Sequence, residues 1–196
     1  MIKLLNLLLI AVTFTACQTK TEPKQNPSNT ASSTYQGNVS LLVKSGTRAA
    51  DGIPDFSWHD AAGKEVSFTE FSKGKPVLIN FWATWCKPCT TEMPAMQATY
   101  DRLRGKGFVV LAVNELEDDE KVRAHIREYK HTFPVLMDRE NRVANLYGVY
   151  GLPVSVFIDE AGVVQAYIKG GLLTEQKIED EIARIRSAKL IQAAAR

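Results

Sequence analysis

The chain has 196 residues, of which 45% are hydrophobic and 23% charged, and its formal net charge is +2 at pH 7. This composition is typical of a globular protein that can build a buried core. Because the net charge is small and no basic run stands out, nothing here favours nucleic-acid binding. We expect one folded domain with short appendages.

The N-terminal residues have the pattern of an export signal. Lys3 gives a positively charged start, and residues 4–14 form an almost continuous apolar run, shorter than the ~20 residues that span a bilayer comfortably. The small residues that follow end in Cys17, and the tetrapeptide 14–17 resembles a bacterial lipobox. The pattern predicts a signal peptide over residues 1–16, and the lipobox resemblance implies that Cys17 carries a lipid. Phe14 departs from the usual aliphatic residue of that motif, so cleavage without lipidation is the alternative.

Residues 17–50 are predicted to form a flexible tether ahead of the folded domain. Residues 18–35 are rich in Thr, Lys, Gln, Asn, Ser and Pro, with too few large apolar side chains to offset the entropy cost of ordering. The apolar stretch 39–43 is either an extra edge strand or part of this linker. We place the folded domain at residues 51–188 and a helix extension or tail at residues 189–196.

The first half of the domain begins with strand patterns and then changes to a helix pattern. Phe56 and Trp58 alternate with polar residues, and a second alternation begins at Val66 after a polar turn, which predicts a β-hairpin. The apolar run 77–82 has the length and composition of a buried strand. From Cys89 onward, large side chains recur at steps of four and three, which is typical of one face of a helix.

The second half predicts a strand, a helix and a strand, and then a short helix, a hairpin and a closing helix. The expected elements are a strand at 108–113, a helix from 118 with Val122, Ile126 and Tyr129 inside, a strand at 133–137, a helix at 142–147 ended by Gly148, a hairpin of 154–158 with 163–168, and a last helix capped by Thr174 with Ile178, Ile182 and Ile185 inside. This order predicts an α/β fold, with a mixed central sheet and helices on both faces.

Cys86 and Cys89 lie where the buried strand turns into the helix. Free amide groups and the positive end of the helix dipole favour a thiolate at Cys86, while Cys89 falls on the inward face and should be shielded. A zinc site is disfavoured because the other cysteine and the three histidines are scattered. So small a disulfide loop would also be a poor structural staple. Two inert buried cysteines are the remaining alternative, and the placement predicts a redox-active dithiol instead.

The motif around these cysteines resembles a known family. Phe-Trp-Ala-Thr-Trp-Cys-Lys-Pro-Cys at residues 81–89, followed by Glu-Met-Pro at 92–94, is similar to the TlpA/ResA/CcmG branch of the thioredoxin-like proteins. The resemblance extends from about Ile53 to Arg186. It implies a thioredoxin-like fold with an N-terminal β-hairpin and a βα insertion at about residues 118–137. It also implies thiol–disulfide exchange with protein disulfides, with no cofactor and no metal.

The resemblance also implies roles for individual residues. Cys86 should attack a substrate disulfide and Cys89 should resolve the mixed disulfide. Pro153 should follow a cis peptide bond beside the thiols, and Leu152 should expose its backbone to an extended substrate. Trp85 should belong to the apolar surface that faces the substrate, whereas core packing is expected for the tryptophan at position 82.

The residue that moves the proton of the second thiol is less obvious. Asn80 stands where thioredoxins carry a buried aspartate, and an asparagine cannot titrate. ResA-like proteins use a glutamate after the next strand, where this chain offers Glu115 and Glu117, and the alignment of a Val-Asn pair favours Glu117. We expect burial and nearby thiolates to raise the pKa of Glu117 so that it accepts the proton of Cys89. The alternative is a surface carboxylate without a catalytic role.

Together these features predict an exported, lipid-anchored thiol–disulfide oxidoreductase on the periplasmic face of a membrane, acting as a reductant. The resemblance implies electrons from a membrane thiol donor, with cytochrome c maturation as one familiar use. Two other functions remain open, a general oxidant or isomerase with the same dithiol and a non-catalytic binding module. A peroxidase of the peroxiredoxin type is disfavoured because its nucleophile lies in a different motif.

Overall fold

A computed structural model of the protein describes residues 35–36, 39–45, 53–60 and 62–194. The predicted signal peptide at 1–16, the lipidation site Cys17 and most of the predicted tether lie outside these residues. Among the described residues, no helix has the length and apolar character needed to cross a membrane.

Nine strands and five α-helices make up the described part of the chain. The strands are β1 (Tyr35–Gln36), β2 (Val39–Ser45), β3 (Phe56–His59), β4 (Glu65–Ser67), β5 (Val77–Trp82), β6 (Val109–Glu115), β7 (Val135–Asp138), β8 (Val154–Ile158) and β9 (Val164–Lys169). The helices are α1 (Phe68–Ser72), α2 (Lys87–Leu103), α3 (Asp119–Tyr129), α4 (Arg142–Tyr147) and α5 (Glu175–Ala194), with a 3-10 turn at Arg104–Lys106. The predicted hairpins, buried strands and helices are confirmed, with bounds shifted by a few residues.

The strands form one mixed sheet in the order β4-β3-β2-β7-β6-β5-β8-β9, and β1 pairs with β2. Strands β2, β7, β6 and β5 are mutually parallel, whereas β8 is antiparallel to β5 and β9 to β8. All six residues of β5 are buried, as expected for a strand with neighbours on both edges and helices on both faces. The predicted α/β architecture is therefore confirmed.

Strand β2 corrects the predicted tether. The tether was drawn through residue 50, but residues 39–45 form a strand that pairs with β3 on one side and β7 on the other. It is an interior strand of the sheet and neither an edge strand nor a linker. Val39 is buried in the core, and the buried Arg123 donates a hydrogen bond to its carbonyl at 3.3 Å. The apolar stretch is ordered because both of its edges find partners.

Two hydrophobic layers cover the sheet. One layer holds the inward residues of α2, α3 and α5, including Met93, Ile126 and Ile182. The other holds α1 and α4 against the aromatic residues of β3. Tyr129 was predicted to face the core but is 55% exposed, so that prediction is wrong. It is the last residue of α3, where the helix gives way to a left-handed cap, and its ring packs on His125 at 4.5 Å.

Candidate active site

The cysteine pair occupies the start of α2, directly beyond the buried strand β5. Cys86 is the N-cap residue, and its sulfur accepts a hydrogen bond from the backbone amide of Cys89 at 3.3 Å. The two cysteines form a disulfide with a Cα–Cα distance of 5.2 Å. Pro88 lies in the first turn of the helix, where its missing amide hydrogen costs no helical bond. The helix thus presents free amide groups at the sulfur of Cys86.

Both cysteines are buried, Cys89 completely and Cys86 almost completely. Cys89 is fully buried in the layer beneath α2, as predicted. Cys86 is 5% exposed in the disulfide form. It packs with Trp82 and Ala83 in the same hydrophobic layer.

Strand order places Pro153 at the same end of the sheet as the cysteines. Strand β8 runs antiparallel to β5 with Val154 opposite Phe81, so the residues before β8 meet those after β5. The Leu152–Pro153 peptide bond is cis, which confirms that prediction. The adjoining groove, with a volume of about 410 Å³, is lined by Tyr150, Gly151, Leu152, Pro153, Val154, Lys169 and Gly170. This groove has room for an extended chain at the end of the sheet that carries the cysteines.

The two tryptophans of the motif differ in burial. Trp82 is fully buried and packs on the ring of His125 at 5.3 Å, which confirms its predicted place in the core. Trp85 is 65% exposed immediately before Cys86. Its exposed position is compatible with the predicted contact with a substrate.

Glu117 is bound into the loop that precedes Cys86. Its carboxylate accepts hydrogen bonds from the backbone amide of Thr84 at 2.6 Å, the Thr84 hydroxyl at 2.5 Å and the Asn114 amide at 2.8 Å. Lys121 forms an ion pair with it at 2.8 Å. Burial alone would raise the pKa of Glu117, but these hydrogen bonds together hold it below its usual value. The predicted raised pKa is wrong, because the carboxylate has four partners that favour its charged form.

Glu115 has the perturbed titration that the sequence assigned to Glu117. It pairs across β6 and β7 with Asp138, and both side chains are buried. Burial, followed by the negative charge of Asp138, raises the pKa of Glu115 to about 7. Asp138 accepts hydrogen bonds from the backbone amides of Arg142 at 2.8 Å and Ala144 at 2.9 Å, so its charged form is the better stabilised of the two. The proton of this pair therefore belongs to Glu115.

Glu92 is a site residue that the sequence reasoning missed. It is 1% exposed on the inward face of α2, one helical turn after Cys89. Its carboxylate accepts hydrogen bonds from the Asn80 amide at 2.8 Å and the backbone amide of Leu173 at 3.1 Å. Burial raises the pKa of Glu92 against the opposing effect of those bonds. An acidic residue on an otherwise apolar helix face was the signal in the sequence.

Asn80 therefore has a role of its own. It is fully buried, and its amide also donates to Ser155 at 3.0 Å, so one side chain ties β5 to both α2 and β8. Within the described residues, no group of three or more His, Cys, Asp and Glu side chains is placed to hold a metal ion. The chemistry available at this site is that of the dithiol and a nearby buried carboxyl.

Comparisons with known proteins agree with this fold and site. Residues 49–167 match the AhpC/TSA family. The thiol–disulfide oxidoreductase ResA of Bacillus cereus is 39% identical over 151 residues, which cover 77% of this chain and 85% of that protein. The thioredoxin-like protein YneN of Bacillus subtilis is 41% identical over 140 residues, 70% of this chain and 80% of that protein.

Solved structures give the same result. A thiol:disulfide interchange protein from Chlorobium tepidum superposes with a TM-score of 0.61 at 26% identity, covering 71% of this chain and 99% of that one. StoA from Bacillus subtilis gives a TM-score of 0.57 at 25% identity, covering 65% and 96%. The fold and the cysteine pair at the helix start define a thioredoxin-like thiol–disulfide oxidoreductase. Specifically, the chain belongs to the AhpC/TSA family and is similar to ResA.

Proposed function

We propose that the protein reduces disulfides of substrate proteins outside the cytoplasm, where a lipid on Cys17 holds it to a membrane. The observation that carries the proposal is the asymmetry of the cysteine pair. Cys86 caps α2 with its sulfur at the helix N-terminus, while Cys89 is fully buried one turn further on. Such a pair suits one attacking and one resolving thiol. The similarity to ResA, whose name is thiol–disulfide oxidoreductase, supports the same chemistry.

The reaction begins with the reduced protein. The Cys86 thiolate bonds to one sulfur of the substrate disulfide, whose S–S bond breaks, and the released sulfur takes a proton. Cys89 then loses its proton and attacks Cys86, which closes the protein disulfide and frees the second substrate thiol. The protein dithiol loses two electrons and the substrate disulfide gains them. The groove beside Leu152 and Pro153 and the exposed Trp85 would hold the substrate chain.

Glu92 is the carboxyl best placed to exchange the proton of Cys89. It is buried on the same helix face, and the raised pKa makes it a better proton acceptor near neutral pH than an ordinary glutamate. Glu117, with four partners for its charged form, is instead proposed to position the loop before Cys86. We therefore propose that Glu92, and not Glu117, accepts the proton of Cys89.

Two measurements test the direction of electron flow and the thiol chemistry. The reduction potential of the Cys86–Cys89 couple should lie near that of thioredoxin, about −270 mV, for a reductant that takes electrons from a membrane thiol donor. The reduced protein should also reduce insulin. A potential near −120 mV would indicate an oxidant instead. Failure of the reduced protein to react with any disulfide would leave only a binding module.

The anchor is tested separately with Cys17→Ser. Stable attachment needs more than one acyl chain, so wild-type protein should fractionate with membranes and the variant should be released or remain unprocessed. Metabolic labelling with a fatty acid should mark the wild-type protein alone. Recovery of unlabelled wild-type protein in the soluble fraction would show cleavage without lipidation.

A further inference from the structure

Large exposed apolar side chains lie together at the end of the sheet that carries the cysteines. Four of them lie in loops there, and we call this set the apolar rim: Trp85 (65% exposed), Leu116 (62%), Tyr150 (89%) and Leu172 (49%). Strand directions place them together, because β5, β6 and β9 finish and β8 starts at the same end of the sheet. The other exposed large apolar residues in the described part of the chain lie elsewhere: Tyr129, Val163, Val164, Leu190 and Ile191.

Hydrogen bonds hold the loops of the rim against the site. Glu117 ties the loop of Leu116 to Thr84, next to Trp85. The amide of Gly170 donates to the Pro153 carbonyl at 2.9 Å, and the amide of Leu173 donates to the buried Glu92 at 3.1 Å. These bonds fix the rim around the disulfide. A surface of this kind is typical of an interaction site.

Leu116 adds an independent observation. Its φ is 56°, in the left-handed region that costs a β-carbon-bearing residue about 1 kcal/mol or more, and its side chain is nonetheless exposed. A glycine would occupy this position without strain. With 62% of its surface exposed, this large apolar residue gains little burial within the described residues and offers its side chain to a partner.

The charged side chains around the apolar rim indicate which kind of substrate segment fits it. Lys169 lines the groove beside Pro153, lies over the Tyr167 ring at 5.6 Å and forms no ion pair within the described residues. Lys87, adjacent to Cys86, is exposed and likewise has no ion pair among them. The exposed acids Asp118 and Glu120 follow Leu116. The side of the rim near Leu116 is therefore negative, and the side near Tyr150 has the positive charge of Lys169.

We propose that the apolar rim selects extended, unfolded substrate segments in which apolar residues flank the disulfide cysteine and an acidic residue reaches Lys169. This inference rests on the proposed function and names its substrate class. An extended chain can contact several loops at once and can add its backbone to the groove at Leu152. Contact with apolar side chains then favours this class over a polar chain.

The test uses single-turnover reduction by the reduced full chain, followed by the appearance of peptide thiols. Three peptides of equal length carry one internal disulfide each. The first has Leu and Phe beside the cysteines and a Glu, the second has Ser in place of the apolar residues, and the third has Lys in place of the Glu. Hydroxyethyl disulfide, too small to span the rim, serves as the reference substrate, and each rate is divided by the rate for it.

We expect the first peptide to react roughly tenfold faster than the second, the change produced by partial burial of one or two apolar side chains. Leu116→Gly, which suits the backbone, and Tyr150→Ser should each lower the first peptide's rate ratio severalfold. Lys169→Gln should reduce the preference over the third peptide. Val163 is an exposed apolar residue at the opposite end of the sheet, so Val163→Ser should leave every ratio unchanged.

Equal ratios for the first two peptides in the wild-type protein would overturn the proposal. An equal loss in Val163→Ser and Leu116→Gly would overturn it as well, since the rim would then have no special role. Failure of the wild-type protein to reduce hydroxyethyl disulfide would instead remove the proposed function itself. Circular dichroism and thermal midpoints of each variant show whether it has folded.

Discussion

The Glu117 carboxylate binds both the backbone amide of Thr84, at 2.6 Å, and the Thr84 hydroxyl, at 2.5 Å. Thr84 lies just ahead of Cys86, so this carboxylate fixes the loop that leads into the redox site. Removing this buried carboxylate leaves its hydrogen-bond donors without an acceptor. Glu117→Ala should therefore destabilise the protein by roughly 2–4 kcal/mol. Urea unfolding at pH 7 measures this, with the exposed Glu120→Ala as control.

The same interaction predicts a pH dependence. The folded state holds the pKa of Glu117 below its ordinary value of 4.5, so its stabilising contribution is present above that pH and is lost as the pH falls through the folded pKa. The difference in free energy of unfolding between wild type and Glu117→Gln should therefore shrink at acidic pH. A difference that stays constant from pH 7 to pH 3 would contradict the ionised, hydrogen-bonded carboxylate.

Glu92 leads to a kinetic prediction. If it accepts the proton of Cys89, Glu92→Gln should slow closure of the Cys86–Cys89 disulfide by about 10²-fold, within the range known for general-base catalysis. It should also remove the part of the pH profile that reflects the raised pKa of the carboxyl. Stopped-flow measurement of the release of the second substrate thiol tests both.

The matched control for Glu92 is Glu117→Gln. This variant should change protein stability more than the pH profile of disulfide closure, because Glu117 contacts Thr84 and no atom of the cysteines within the described contacts. An unchanged profile in Glu92→Gln would show that water accepts the proton.

The sequence predicted those features that depend on neighbouring residues. The buried strand β5, the helix after it and the capping position of Cys86 all follow from local pattern and helix-end chemistry. Pro153 was placed correctly through family resemblance, since nothing local requires a cis bond there. The closing hairpin and helix have clear turn and cap residues, including Thr174.

What the sequence did not predict depends on distant partners. The Glu92 carboxylate is held by hydrogen bonds from Asn80 and Leu173. The Glu117 carboxylate is held by Thr84, which lies 33 residues away in the chain. A pKa depends on those contacts, so burial and charge could not be weighed in advance. Strand β2 likewise becomes ordered only through its pairing with β3 and β7.

Cysteine reactivity gives a fourth prediction. Cys86 lies at the helix N-terminus and Cys89 is fully buried, so iodoacetamide should label Cys86 of the reduced protein first at mildly acidic pH. Mass spectrometry of the labelled peptides identifies the site. Cys89→Ser should accumulate mixed disulfides with substrates, whereas Cys86→Ser should not. Equal labelling of both cysteines would contradict the asymmetry on which the proposed function rests.

Glu115 provides the last prediction, a loss of stability toward neutral pH. Its pKa is raised from 4.5 to about 7, first by burial and then by Asp138. A raised folded pKa means that the folded state binds the proton more tightly, so the contribution is full below pH 4.5 and is lost as the pH rises through about 7. The loss could reach roughly 3 kcal/mol, at 1.36 kcal/mol for each pKa unit.

Urea unfolding of the disulfide form between pH 5 and pH 8 measures this slope. Glu115→Gln should flatten it, because glutamine fills the same volume without ionising beside Asp138. The wild type and the variant should therefore be closest at pH 5, with the variant more stable at pH 8. Asp138 is unsuitable as the test position, since its carboxylate also accepts the amides of Arg142 and Ala144 that begin α4. A slope that persists unchanged in Glu115→Gln would place the titrating group elsewhere, with Glu92 the next buried carboxyl to replace.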